Sequence, residues 1–153
     1  MPEPARCKDA GFTLFELLVA LAIVALATLI AVPLVKRGSA GQEIRIAAAD
    51  LVSASRTAKA RAIRTAGETA LNLDVAAREY WSDAEPRRRR LPAGLAIRLD
   101  VPAGERTGTG TGRVRFFADG SSSGARLALG DGRQTATIAV DWLTGAAHVT
   151  WSR

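Results

Sequence analysis

Between Phe12 and Val35 the chain reads FTLFELLVALAIVALATLIAVPLV, with Glu16 as its only charge. Twenty-four helical residues extend about 36 Å, enough to cross a hydrocarbon core of roughly 30 Å. Leu17 to Val35 alone is an uncharged run of 19 residues. The segment therefore reads as a single membrane span. It also accounts for averages that look ordinary, 48% hydrophobic and a net charge of +6. Residues 36–153 carry 19 Lys/Arg against 12 Asp/Glu, or +7, so the chain is an apolar rod joined to a basic domain. That division argues against a purely soluble cytosolic enzyme. At 153 residues there is room for one modest domain, and the lone Cys7 excludes a disulfide framework or a cysteine-clustered zinc site.

A cleavable secretory signal would have a shorter apolar stretch ending in a small-x-small site. Here the run continues through Val32-Pro33-Leu34-Val35 into Lys36. A lipoprotein signal is excluded because Cys7 precedes the run. Flanking charges leave the orientation open, with Arg6 and Lys8 on one side and Lys36 and Arg37 on the other. Glu16 is the costly residue, since a carboxylate at bilayer depth costs about 2.5–3.5 kcal/mol at the centre and less near an end. Two readings offset that cost. Glu16 snorkels to the headgroups, or it pairs with a cation such as a new α-amino group made by cutting just before Phe12.

Lys8-Asp9-Ala10-Gly11-Phe12-Thr13-Leu14-Phe15-Glu16-Leu17-Leu18 resembles a type IV prepilin signal. In that family a short polar leader ends in Gly, Phe follows, and Glu is the fifth mature residue before an apolar helix. Phe15 departs from the family's usual isoleucine, and Pro33 falls where these proteins often bend. The resemblance implies cleavage after Gly11 by prepilin peptidase on the cytoplasmic side, N-methylation of Phe12, and a role for Glu16 in packing the helix into a filament. It also implies a leader in the cytoplasm and a body outside. Cleavage would remove Cys7 and leave 142 residues, consistent with a periplasmic domain held by packing alone.

After the span, Lys36–Gly41 holds two glycines and is a weak point or bend where the helix leaves the membrane. A helix resumes from Gln42 to about Ala66. Ile44, Ala48, Leu51, Ser55, Ala58 and Ala62 fall at 4,3,4,3,4 spacing and form one small, mostly apolar stripe suited to packing on a sheet. Arg45, Arg56, Lys59, Arg61 and Arg64 take the other faces, which read as solvated. Gly67 ends the helix and the period becomes two. Strands are predicted at 69–74, 95–101, 113–118, 125–129, 135–141 and 146–151, with a further short one at Arg78–Ser82. Asp119-Gly120, Asp131-Gly132 and Thr144-Gly145 punctuate the last four as a meander of hairpins. The class is α+β, a long N-terminal helix packed on an antiparallel sheet or sandwich. The predicted divisions are 1–11 leader, 12–35 transmembrane helix, 36–66 periplasmic helix and 67–153 periplasmic β domain.

The body carries a second resemblance. Gly41-Gln42-Glu43-Ile44-Arg45, Leu91-Pro92-Ala93-Gly94-Leu95, Arg115-Phe116-Phe117-Ala118-Asp119-Gly120-Ser121-Ser122-Ser123-Gly124 and Val140-Asp141-Trp142-Leu143-Thr144-Gly145 are similar to the H-type minor pseudopilins of type II secretion systems. The two most discriminating segments read physically as hairpin turns flanked by aromatic core residues. Membership would imply a single-pass inner-membrane subunit of a periplasmic pseudopilus. Its partners would be minor and major pseudopilins and prepilin peptidase, and its role the export of folded proteins across the outer membrane. The alternative is a DNA-binding minor pilin of a type IV pilus or uptake system. A single-span periplasmic domain unrelated to filaments is the plainest option.

Other motifs carry less. Arg87–Arg90 lies between Glu85-Pro86 and Leu91-Pro92, so a loop is predicted. With Tyr80 and Trp81 upstream it could hold single-stranded nucleic acid. A solvated loop paired with Asp83 and Glu85, or facing a protein, is the favoured reading. DNA-binding relatives use a basic C-terminal tail, and His148–Arg153 offers little charge. Thr107–Gly112 lacks the ending of a phosphate loop and reads as a flexible β–β connection. Ser121–Ser123 and His148 show no triad arrangement, and Asp74, Asp100, Asp119, Asp131 and Asp141 read as turn caps. No catalytic, cofactor-binding or metal-ligating residue is assigned. The assigned site residues are Gly11, Phe12 and Glu16.

Overall fold

The computed structural model describes residues 14–153, and residues 28–40 by their helical backbone alone. The predicted leader, with Gly11 and Phe12, lies outside the described residues. Helix α1 runs Leu14–Thr65, and helical assignment continues through the stretch predicted to bend. The chain nevertheless divides into two compact units between Gly38 and Ser39, inside that stretch. Among the described residues no helix is long and apolar enough to cross a membrane. Phe12, Thr13 and the side chains of 28–35, which complete the apolar run, are not among them.

In the second unit the whole predicted stripe of α1 is buried, with Ile44, Ala58 and Ala62 fully inaccessible. Ser55 is tolerated there because its hydroxyl donates to the Leu51 carbonyl at 2.9 Å, leaving no unpaired polar group. The helix stops one residue earlier than glycine placement predicts. Ala66 adopts the left-handed conformation (φ 49°), its N–H bonds the Ile63 carbonyl, and the Gly67 N–H reaches back to Ala62. These two bonds close the last turn as a Schellman motif on a non-glycine residue.

Nine strands follow: β1 (Thr69–Asp74), β2 (Glu79–Ser82), β3 (Glu85–Arg90), β4 (Ala96–Asp100), β5 (Arg106–Gly108), β6 (Thr111–Phe116), β7 (Ala125–Gly130), β8 (Thr135–Val140) and β9 (Ala147–Ser152). They form two antiparallel sheets, ordered β3-β2-β1-β6-β5 and β4-β7-β8-β9. Burial alternates cleanly along β6 and β8, so each sheet turns one face inward. Those faces and the α1 stripe share one core around Phe116, Leu129, Leu51 and Ile44. Each such large side chain contributes about 1.5–3 kcal/mol by leaving water.

Three expectations are corrected. Arg87–Arg90 is a strand, β3, because Pro86 sits on a sheet edge where its missing N–H costs nothing and Glu79 and Glu85 receive the arginines. The Thr107–Gly112 stretch does join two strands, but β5 and β6 reach further into it than expected and leave a tight hairpin turn. Finally, the last four predicted strands are not one meander. After β6 the chain touches its own sheet at the Phe116–Ser122 bridge and through Ser123, then crosses to the other sheet, where β7 also pairs with β4. A fold-back between β4 and β7 leaves no local turn signal.

Candidate assembly surfaces

The described side chains of the first unit, 14–27, make an apolar helical stretch. Leu14, Phe15, Leu17, Leu18, Val19, Leu21, Ile23, Val24 and Leu26 are all exposed, Leu14 by 80%. So much bare hydrocarbon requires cover by lipid or by other helices. Glu16 lies in the first turn of α1, where the N–H groups and the helix dipole favour a carboxylate. Of the three assigned site residues, the structure therefore places Glu16 alone.

In the second unit the two most discriminating segments meet. The turn after β6 is held by Asp119, whose carboxylate accepts from the Ser121 hydroxyl and N–H at 2.6 and 2.9 Å. Those bonds hold its pKa below the usual carboxylate range. Asp141 does the same after β8, accepting from the Thr144 N–H and hydroxyl, and its pKa is likewise lowered. Gly145 (φ 59°) brings these turns together. A Cβ there would stand 2.5 Å from the Gly120 carbonyl oxygen. Lys59 of α1 then donates to the Thr144 carbonyl at 2.6 Å. The sequence reading placed aromatic core residues on both flanks, and this holds for Phe116 but not for Trp142. Trp142 is 66% exposed and Leu143 63%, because the capped turn carries them outward on a fixed mount.

A buried charge cluster ties a short 3-10 turn (Ala103–Glu105) to β6. Glu105 is only 3% exposed, and its oxygens accept from Arg115 Nε at 2.7 Å and Arg113 Nε at 3.0 Å. Burial alone would raise the Glu105 pKa, but the bonds from Arg115 and then Arg113 outweigh it and hold the carboxyl low. This group was not singled out in the sequence; Glu105 stands beside a Gly/Thr-rich stretch that hides its partners. A folded-state pKa below the unfolded value gives stability that is fully present above the unfolded titration and is lost as pH falls through the folded one. Glu105→Gln should therefore cost about 1–3 kcal/mol at neutral pH. In denaturant titrations of the full chain in detergent, that gap should shrink steadily as pH falls below the ordinary carboxylate range.

The remaining sequence candidates do not assemble into chemistry. Ser123 and His148 both line an open groove of about 590 Å³ with Asp141, Arg126 and Asp100. Yet the Ser123 hydroxyl accepts the Arg115 N–H, Ser122 donates to the Asp141 carbonyl, and the Asp141 carboxylate is taken by Thr144. Among the described residues no hydrogen bond joins these serines to His148, and no cluster of His, Cys, Asp or Glu could hold a metal. On β3 the nucleic-acid reading loses its stacking platform. Tyr80 is buried, and the Trp81 ring is covered by the Arg88 guanidinium at 4.2 Å.

Comparison with known proteins gives two family matches, a prokaryotic N-terminal methylation motif over residues 6–32 and the type II transport protein GspH over residues 47–145. The type II secretion system protein H of Xanthomonas campestris pv. campestris is 29% identical over 140 residues, covering 92% of this chain and 82% of that protein. Two solved structures share the fold at 12% identity, each over 71% of this chain. The minor pseudopilin EpsH from the type 2 secretion system of Vibrio cholerae gives a TM-score of 0.57 over 96% of its length. The type IV minor pilin FimU of Pseudomonas aeruginosa gives 0.54 over 89%.

Proposed function

The chain belongs to the type II transport protein GspH family, and from that premise we propose that it is a minor pseudopilin, a structural subunit of the type II secretion pseudopilus. The observation that carries the reading is the pairing, in one chain, of an N-terminal methylation motif with a GspH body. The bare apolar rod beginning at Leu14 supports it, because such a rod needs a membrane first and neighbouring helices later. The family is one of structural subunits, and the DNA-binding pilin alternative is not favoured.

On this reading, residues 1–11 are a cytoplasmic leader that prepilin peptidase removes after Gly11, and Phe12 becomes the methylated first residue. Residues 12–35 hold the protein in the inner membrane as a single span, and 36–66 with 67–153 form its periplasmic body. During assembly the span leaves lipid for the filament. The Glu16 carboxylate then meets the Phe12 amine of an adjacent subunit, so neither charge is left unpaired among apolar helices. Other minor and major pseudopilins are its partners. Deleting the chain should trap folded export substrates in the periplasm, and a plasmid copy should release them. If DNA uptake failed instead while secretion stayed normal, the reading would be wrong.

A further inference from the structure

We propose that the outer edge of β3 docks an acidic, extended segment of a partner protein, which adds to the five-stranded sheet as a sixth strand. β3 is the outermost strand, so one whole side of its backbone is unpaired. The Leu91 N–H donates inward to the Arg78 carbonyl at 2.8 Å. Strand alternation therefore turns the Arg90 N–H to the open side, ahead of the register shift that β3 makes against β2 between Arg89 and Glu85. That donor and the carbonyls along the open side are available to an incoming strand.

The charges on this edge select the partner. Arg88 and Arg90 share Glu79 at 3.4 and 3.1 Å, and Arg89 pairs with Glu85 at 2.9 Å. Arg87 has no ion pair among the described residues. The four guanidinium groups thus make ion pairs with only two carboxylates, and with Asp50 also acting on Arg89 they still carry a positive surplus. Arg88 is held flat on Trp81, while its side chain and that of Arg90 stay 59% and 85% exposed. A second copy of this edge would bring the same positive surplus, so self-pairing is rejected. A strand with carboxylates on alternate residues satisfies the surplus and gains bidentate contacts. Single-stranded nucleic acid would offer phosphates but finds no free aromatic face to stack on.

The test uses the full chain in nonionic detergent and a fluorescein-labelled peptide of alternating Glu and Val, followed by anisotropy. Its comparators are a Lys–Val peptide, a backbone N-methylated Glu–Val peptide and an oligo-dT strand. Saturable binding of the Glu–Val peptide is expected, weakened about tenfold or more by N-methylation and by Arg88→Gln/Arg90→Gln together. The exposed, unpaired Arg87→Gln should weaken it severalfold without disturbing the fold, and decides the matter if the double variant fails to fold. Equal binding of the N-methylated peptide, tighter binding of oligo-dT, or no saturable binding of the Glu–Val peptide would overturn the proposal. The assay does not depend on Glu16 or on secretion, so its failure would leave the pseudopilin reading standing.

Discussion

Cells whose only copy of this protein carries Glu16→Ala should insert and process it normally yet lose secretion. Removing a carboxylate from an apolar helix makes insertion more favourable, so membrane levels should match the wild type. Assembly is different. If Glu16 pairs with the Phe12 amine of a neighbour, the variant leaves that amine buried and unpaired, a loss of about 3–5 kcal/mol. Each 1.4 kcal/mol is tenfold, so incorporation beside other pseudopilins should fall by at least tenfold, read by cross-linking in membranes. Glu16→Gln keeps the shape and removes the charge, and should fail in the same way. Normal secretion by the Glu16→Ala chain would remove Glu16 from the mechanism.

The second large effect lies in the body. Phe116 is fully buried where β6, the crossover and the α1 stripe meet. Phe116→Ala should cost about 3–5 kcal/mol, combining lost burial with the cavity left behind. For a domain of this size that lowers the melting temperature by on the order of 10–20 °C. Trp142→Ala offers the contrast. Its ring is mostly in solvent, so the melting temperature should move by at most a few degrees, about 0.5 kcal/mol. If the two substitutions melted alike, the assignment of Phe116 to the core and Trp142 to the surface would be wrong.

Much of this architecture was legible because local physics wrote it. The 4,3,4,3,4 stripe from Ile44 to Ala62 is a helix period, and all six positions are buried. The Asp119-Gly120 and Thr144-Gly145 turns follow from a carboxylate that caps its own loop and a glycine with positive φ. What stayed hidden depends on distant partners. β3 looks like a loop until Glu79 on the neighbouring strand and an open edge make room for Pro86 and four arginines. The β4–β7 pairing joins segments far apart in sequence and leaves no turn residue between them. Glu105 reads as one more loop acid until β6 sets Arg113 and Arg115 beside it. Glu16 stands out by cost, as the single charge in an apolar run, and its role comes from the prepilin-like motif around it; it sits in the first turn of α1.

That residue's proposed partner, a free amine on Phe12, exists only if the leader is removed. The most direct measurement is the intact mass of the chain recovered from membranes of cells that make it. The recovered protein should begin at Phe12, lacking residues 1–11 and carrying one added methyl group. A chain that kept the leader, or one cut instead at the far end of the apolar run, would contradict it.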